Sequence, residues 1–185
     1  MRLIPTSLPG FTIVEPTVHA DERGFFSETF RADVLEAAGI RETWVQDNHA
    51  RSQRGVLRGM HFSVEPGQAK LVRCARGRVL DVVVDVRAGS PTFGRWEGVE
   101  LDDARGLQVY VPVGFAHGYL VISEVADVVY KCSEYYDGAK ERGIAWDDPE
   151  VGIAWPEGER IVSDRDRAAP RLAELAPRIP FTYSA

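Results

Sequence analysis

The fold class is decided by residues 78–87, RVLDVVVDVR. Every second residue from Leu80 to Val86 is aliphatic, and these residues alternate with Asp81, Val83, Asp85 and Arg87. Alternation with a period of two is the pattern of a β-strand whose two faces meet different surroundings. This stretch therefore predicts a strand with two unlike faces.

The same period recurs on both sides of that strand, in residues 107–113, LQVYVPV, and residues 127–136, DVVYKCSEYY. Segments rich in Gly, Pro and Asp separate the strands, among them EPGQ, AGSPTFG, DDARG and YYDGAKERG. One convincing helix covers residues 30–38, FRADVLEAA, with Gly39 as its stop signal. Many short strands at regular spacing predict an all-β jelly-roll barrel or sandwich with a few short peripheral helices.

Length and composition narrow the class of protein further. The chain has 185 residues and contains no repeat or linker, so we expect a single domain over residues 1–185, with the tail beyond Pro170 wrapping its surface. A net charge of −6 argues against nucleic acid as a partner. We see neither a signal peptide nor an apolar run of membrane-spanning length, and we expect a cytoplasmic protein in which Cys74 and Cys132 are free buried thiols.

Basic residues cluster around residues 55–62, GVLRGMHF, despite the acidic balance of the whole chain. Such a cluster is either a solvated surface or the lining of a site for a phosphorylated ligand. Its members are Arg51, Arg54, Arg58, Lys70, Arg73, Arg76 and Arg78.

Two spaced motifs accompany this cluster. The first is Gly55-x5-His61, and the second is Gly106-x5-Pro112-x-Gly114-x2-His117. Together they resemble the signature motifs of the cupin superfamily, whose members are jelly-roll barrels. The resemblance implies that both histidines face the interior of one barrel.

Metal-binding cupins supply His-x-His and a glutamate from the first motif and a histidine from the second. Here Ser63 stands two residues after His61, and Lys70 occupies the glutamate position. Two histidines with an ammonium between them fall short of the three or four ligands of a closed metal site, so we predict no metal. Buried cations and imidazoles are costly without counter-charges, which favours an anionic ligand.

Over nearly its whole length the chain is similar to the dTDP-4-dehydrorhamnose 3,5-epimerase family. The blocks that carry this resemblance include DERGFFSETF, VQDNHARSQRGVLRGMHF, QAKLVR, VPVGFAHGYLV, YKCSEYYD and SDRD. The resemblance implies inversion of C3 and C5 in a dTDP-linked 4-keto-6-deoxy sugar, without a cofactor. It also implies a homodimer in which N-terminal residues complete the neighbouring subunit's site.

The resemblance assigns four catalytic roles. His61 is the base that removes a proton beside the C4 ketone, and Asp166 orients its ring. Lys70 stabilises the enolate oxygen. Tyr130 is the acid that returns a proton to the opposite face.

The resemblance also assigns the substrate contacts. Arg23 and Arg58 match the diphosphate contacts, and Phe26 and Tyr136 are candidates for packing or stacking on the base. The remaining matched positions are Glu28, Gln46, Asp47 and Asn48 at the thymidine end, and His117, Glu141 and Arg165 elsewhere in the site.

Three alternatives remain open at the level of sequence. The first is an epimerase that acts on C3 or C5 alone. The second is a cupin that binds sugar nucleotides without catalysis, and the third is a metal-dependent cupin oxygenase or isomerase.

Overall fold

The computed structural model describes residues 1–184, and most of its regular structure is short β-strands. The strands are β1 (Arg2–Pro5), β2 (Thr12–Glu15), β3 (Val18–Asp21), β4 (Gly24–Ser27), β5 (Gln46–Gln53), β6 (Val56–Ser63), β7 (Lys70–Arg76), β8 (Arg78–Asp85), β9 (Trp96–Asp102), β10 (Gln108–Val111), β11 (Phe115–Val121), β12 (Val125–Cys132), β13 (Glu141–Gly143) and β14 (Ile161–Val162). The helices are α1 (Ala32–Ala37), α2 (Asp164–Arg167) and α3 (Leu172–Leu175), followed by a 3-10 turn at Ala176–Arg178.

Two sheets face one another. Sheet I has the strand order β1-β2-β10-β7-β12-β5, and sheet II has the order β13-β6-β11-β8-β9 with β14 added parallel to β6. All other pairings in the two sheets are antiparallel, and the strands cross between sheets in the jelly-roll manner. The predicted all-β sandwich with a few short helices is confirmed.

Strand β8 has the two unlike faces that its sequence predicts, and both are buried. Val79 and Val83 belong to the core between the sheets, whereas Val82 and Val84 pack under residues of the C-terminal segment. The aspartate Asp81 shares the inward face and is fully buried. A polar group there needs a partner, because an unpaired buried carboxylate is costly.

Strand β6 owes its shape to a close approach between backbones. Gly59 has φ +146°, and a Cβ at this position would come within 2.6 Å of the Gly118 Cα. The register of β6 against β11 shifts between His117 and Tyr119. Because of this irregularity Arg58 and His61, three residues apart, both line the same cavity, which a regular strand would not allow.

Two sequence expectations about elements need correction. The strand predicted over residues 127–136 ends at Cys132, so Glu134 and Tyr136 do not continue the face that carries Tyr130. The predicted helix over residues 30–38 shortens to α1, whose buried contact is Leu35. The tail beyond Pro170 packs Leu172 and Phe181 against the outer side of sheet II, as expected of a surface wrap.

Candidate active site

A cavity of about 720 Å³ opens between the two sheets. Its walls carry charged, phenolic and imidazole groups at the strand positions that the sequence motifs indicate. The chemically active lining residues are Asn48, Arg58, His61, Gln68, Lys70, His117, Tyr119, Tyr130, Tyr136, Glu141, Ser163, Arg165 and Asp166.

His61 and Asp166 form a hydrogen-bonded pair on the sheet II side of this cavity. The His61 Nε2 lies 2.7 Å from Asp166 Oδ1, and the Gly59 backbone N–H donates to Asp166 Oδ2 at 3.4 Å. At this separation a proton lies between ring nitrogen and carboxylate, so the lone pair of the neutral imidazole is on Nδ1. The pair therefore favours this tautomer of His61, although the Arg165 Nη2, which can only donate, also lies 2.8 Å from the same Nε2.

Helix α2 places Asp166. Ser163 is its N-cap, and the Ser163 Oγ accepts a hydrogen bond from the Asp166 backbone N–H at 3.1 Å. Burial alone would raise the pKa of Asp166, but hydrogen bonds from His61, Gly59 and Arg165 prevail and lower its pKa to about 2. Asp166 is thus a permanent carboxylate at neutral pH.

A second histidine–aspartate pair lies next to the first. His117 on β11 is the register partner of His61, and its Nε2 lies 2.9 Å from Asp81 Oδ2. Both side chains are buried. Sequence reasoning missed Asp81, because its pairing with His117 depends on β8 being the neighbour of β11, and the sequence does not show this strand order.

Lys70 begins β7 and brings a cation into the cavity from sheet I. Lys70 is half-buried in the cavity wall, and desolvation of its ammonium lowers its pKa, while Cys132, Glu141 and Asp81 act in the opposite direction. Such a cation is weakly hydrated and can interact strongly with a negative charge that develops beside it.

Tyr130 enters the cavity from β12, in the sheet opposite to the one that carries His61. Burial raises the pKa of Tyr130 to about 12, and neighbouring Cys132, Tyr119 and Glu141 add to this effect. The phenol therefore keeps its proton at neutral pH. An imidazole and a phenol face the cavity from opposite walls.

Arg58 and Tyr119 line the cavity, and the buried Ser52 contacts Arg58. The Arg58 Nε donates to the Ser52 Oγ at 3.2 Å. The Tyr119 hydroxyl is buried close to Ser52, and among residues 1–184 it makes no hydrogen bond of ordinary distance and angle. Sequence reasoning missed both Ser52 and Tyr119, because a serine and a tyrosine on strands carry no motif of their own.

Arg165 connects the mouth of the cavity to the histidine pair. Its guanidinium contacts Glu141, donates through Nε to Asp166 at 3.2 Å and lies with Nη2 at 2.8 Å from His61 Nε2. The Tyr136 hydroxyl donates to the same Glu141 at 3.2 Å. A substrate that enters the cavity must replace or share some of these contacts.

Five of the predicted substrate contacts lie away from the lining of this cavity. Gln46 is adjacent to it and hydrogen-bonds Asn48 and the Tyr136 backbone, whereas Asp47 points to the other face of β5 and pairs with Lys131. The remaining three, Arg23, Phe26 and Glu28, lie on or next to the β3–β4 hairpin.

No group of three or more metal-ligating side chains comes together within residues 1–184. His61 and His117 are instead each engaged by an aspartate. Across the same residues, no helix is long and apolar enough to cross a membrane.

Comparison with known proteins identifies the family. Residues 5–174 match the family model described as dTDP-4-dehydrorhamnose 3,5-epimerase. The chain belongs to this family. The resemblance that the sequence motifs indicate is therefore confirmed.

Three relatives illustrate the range of this family. The dTDP-4-dehydrorhamnose 3,5-epimerase of Shigella flexneri is 49% identical, over 90% of this chain and 93% of its own. The dTDP-4-dehydrorhamnose 3-epimerase of Streptomyces niveus is 47% identical, over 94% and 85%. The crystal structure of dTDP-6-deoxy-D-glucose-3,5-epimerase from Legionella pneumophila Philadelphia 1, in complex with dTDP-4-keto-L-rhamnose, is 44% identical and superimposes with a TM-score of 0.96 over 100% of this chain and 99% of its own.

Proposed function

We propose that the protein is a dTDP-4-dehydrorhamnose 3,5-epimerase of dTDP-L-rhamnose biosynthesis. It converts dTDP-4-dehydro-6-deoxy-D-glucose into dTDP-4-dehydro-L-rhamnose by inverting C3 and C5. The observation that carries this proposal is the presence of a carboxylate-held imidazole and a protonated phenol on opposite walls of one cavity, in a member of this family. Inversion of a carbon centre requires a base on one face and an acid on the other.

The first step is removal of a proton next to the C4 ketone. The carbonyl acidifies the hydrogens on C3 and C5, and the lone pair on His61 Nδ1 takes one of them. Asp166 holds the proton on Nε2 and stabilises the imidazolium that forms. The electron pair of the broken C–H bond moves into the enolate, whose charge is on the C4 oxygen.

Lys70 is proposed to stabilise that oxygen. Its ammonium is partly desolvated by the protein, so an enolate formed beside it would be stabilised more strongly than in water. The charge exists only along the reaction path, and such a stabiliser acts on kcat more than on substrate binding.

Tyr130 is proposed to return a proton to the opposite face. With a pKa of about 12, the phenol stays protonated until a strongly basic enolate is present. The resulting phenolate recovers its proton from solvent or from the imidazolium before the next turnover, so the protein returns to its starting state.

The nucleotide part of the substrate is proposed to bind along the mouth of the cavity. Arg58 meets the diphosphate, and the other contacts within the subunit come from Asn48, His117, Tyr136, Glu141 and Arg165. Gln46 and Asp47 remain proposed contacts at the thymidine end. In the proposed homodimer, Arg23, Phe26 and Glu28 are supplied by the partner subunit's hairpin.

We also propose that the chain acts as one domain without a cofactor. The two cysteines, Cys74 and Cys132, are free and buried, which fits a reducing, cytoplasmic environment.

Epimerisation of C3 alone is the second candidate. It is favoured by the Streptomyces niveus relative, a 3-epimerase, which is 47% identical to this chain, close to the 49% of the Shigella flexneri double epimerase. Overall identity therefore does not separate the two activities.

Solvent exchange distinguishes these candidates. The protein is incubated with dTDP-4-keto-6-deoxy-D-glucose in deuterated water, and label is located by NMR. Deuterium at both C3 and C5, with trapping of the product as dTDP-L-rhamnose by a downstream reductase, supports the double epimerase. Label at C3 alone supports the second candidate, and no label in any sugar carbon contradicts both.

A further inference from the structure

Ser52 is a buried polar residue without a sequence motif. It lies on β5 at the edge of sheet I, on the same face as Asn48 and Ala50, which line the cavity. Its exposed fraction is only 7%. A serine at such a position gains less from burial than an aliphatic residue would, so its hydroxyl calls for an explanation.

The side-chain hydrogen bond between Ser52 and Arg58 links the two sheets, and the Tyr119 hydroxyl lies close to the same serine. Its Oγ accepts from the Nε of Arg58, which lies on β6 in sheet II, at 3.2 Å. Strands β5 and β6 are consecutive in the chain but belong to different sheets. The bond therefore fixes an arginine of one wall against the other wall.

Arg58 has no carboxylate within ion-pair distance among residues 1–184, unlike Arg51 and Arg165. Its guanidinium is held through Nε alone, which leaves the two terminal nitrogens as a forked donor pair on the cavity wall. An arginine side chain loses considerable rotamer freedom when it is fixed. If that loss occurs before the ligand arrives, the ligand binds more tightly.

We propose that Ser52 is a positioning residue, which holds Arg58 through Nε so that both terminal nitrogens meet the diphosphate of the nucleotide sugar. This inference rests on the proposed function, because it takes Arg58 as the diphosphate contact. Ser52 itself touches neither the sugar nor the reacting carbons.

Calorimetric titration with dTDP tests the proposal. Fixing one flexible side chain is worth about 0.5–1.5 kcal/mol, so Ser52→Ala should raise the dissociation constant of dTDP about 2- to 12-fold. The Michaelis constant of the full substrate should rise similarly, with kcat changing less. Ser52→Cys, which fills similar space with a weak acceptor, should behave in the same way if the alanine variant folds poorly.

A double-mutant cycle separates positioning from general damage. If Ser52 acts through Arg58, then Ser52→Ala should have no further effect on dTDP binding in the Arg58→Ala background. Thr92→Val is the matched control, because it removes a buried hydroxyl that donates to Asp85 at 2.7 Å outside the cavity. It should lower stability without weakening dTDP binding.

Failure of the role of Ser52 and failure of the proposed epimerase function give different results in these experiments. Wild-type protein that neither binds dTDP nor exchanges label overturns both. Wild-type protein that does both, with Ser52→Ala binding dTDP equally tightly, overturns only the role of Ser52. The same holds if Ser52→Ala weakens binding by the same factor with and without Arg58.

Discussion

Tyr130 allows the proposed opposite-face mechanism to be tested at the level of one oxygen atom. Tyr130→Phe keeps the ring and its packing and removes the only proton that the side chain can donate. Deprotonation by His61 should continue in part, and the enolate should regain its proton from the histidine that formed it. We expect net inversion to fall about 10²- to 10⁴-fold, while solvent deuterium still enters the unepimerised sugar.

NMR of the recovered sugar measures both rates in one sample. His61→Asn serves as the reference, because loss of the base should stop exchange as well as inversion. If Tyr130→Phe slowed exchange and inversion by the same factor, the phenol would not be a separate acid on the opposite face.

Tyr119 carries a buried hydroxyl close to Ser52 in the wall of the cavity. The hydroxyl is buried without a hydrogen-bond partner in residues 1–184, and leaving such a group unsatisfied costs about 1–3 kcal/mol. Tyr119→Phe should therefore raise the free energy of unfolding, by about 1 kcal/mol, in urea titrations of the ligand-free protein. A stability that stayed equal or fell would mean that the hydroxyl is already satisfied, with Ser52 as the nearest candidate.

Sequence motifs identify some residues of the cavity and miss others. The motifs predict that His61, Lys70 and His117 share one cavity, and the structure places all three there. Asp81 and Ser52 could not be found in this way. A buried aspartate or serine on an alternating strand has the same local pattern as an exposed one, and only strand order reveals its partner.

Among the elements, helix α2 has only four residues, but it carries Asp166, which holds His61. Such a short helix has little intrinsic stability, and Ser163 supplies its N-cap bond to the Asp166 backbone. Ser163→Ala should cost about 0.5–2 kcal/mol of folding free energy. It should also lower kcat, because the carboxylate that holds His61 moves with the helix.

Ser123→Ala provides the comparison for this variant. The Ser123 Oγ accepts from the Arg78 backbone N–H at 2.8 Å, so its loss removes a similar bond in a turn far along the chain from α2. We expect similar thermal destabilisation with kcat unchanged. Equal effects of the two variants on kcat would show that α2 needs no cap to position Asp166.

The limits of element prediction have a physical basis. Strand β12 ends at Cys132, where its pairing with β5 and β7 ends, although the sequence predicts a strand as far as Tyr136. Helix α2 is too short for any periodicity to appear in the sequence. Strands and helices that depend on tertiary partners for their ends are therefore predicted with the right type and the wrong length.

At the scale of the whole molecule, the β3–β4 hairpin stands apart. Within residues 1–184 its strands pair only with each other, and Phe25 and Phe26 are 67% and 71% exposed. An exposed aromatic pair on a two-stranded ribbon is a feature of surfaces that meet another protein. The single chain thus leaves unexplained three positions that the family resemblance assigns to the substrate: Arg23, Phe26 and Glu28.

A partner subunit would explain them, and hybrid dimers test whether it does. If Arg23 acts across the interface, a heterodimer of an Arg23→Ala subunit and a His61→Asn subunit has one site with both defects and one intact site. Each variant alone should be nearly inactive. Mixing them under conditions of subunit exchange should restore roughly a quarter of wild-type activity, since about half of the dimers are then mixed and each has one working site.

The control for this experiment is a pair of defects in residues that reach the cavity within one subunit. Lys70→Ala and His61→Asn both change groups that line the cavity of one chain, so each of the two sites in a mixed dimer carries one defect and neither site is intact. The mixture of these two single variants should therefore gain no activity.

The contradicting outcome concerns the mixture of Arg23→Ala and His61→Asn. If mass spectrometry shows mixed dimers but the activity stays at the level of the separate variants, then Arg23 lies in the site of its own subunit or outside any site.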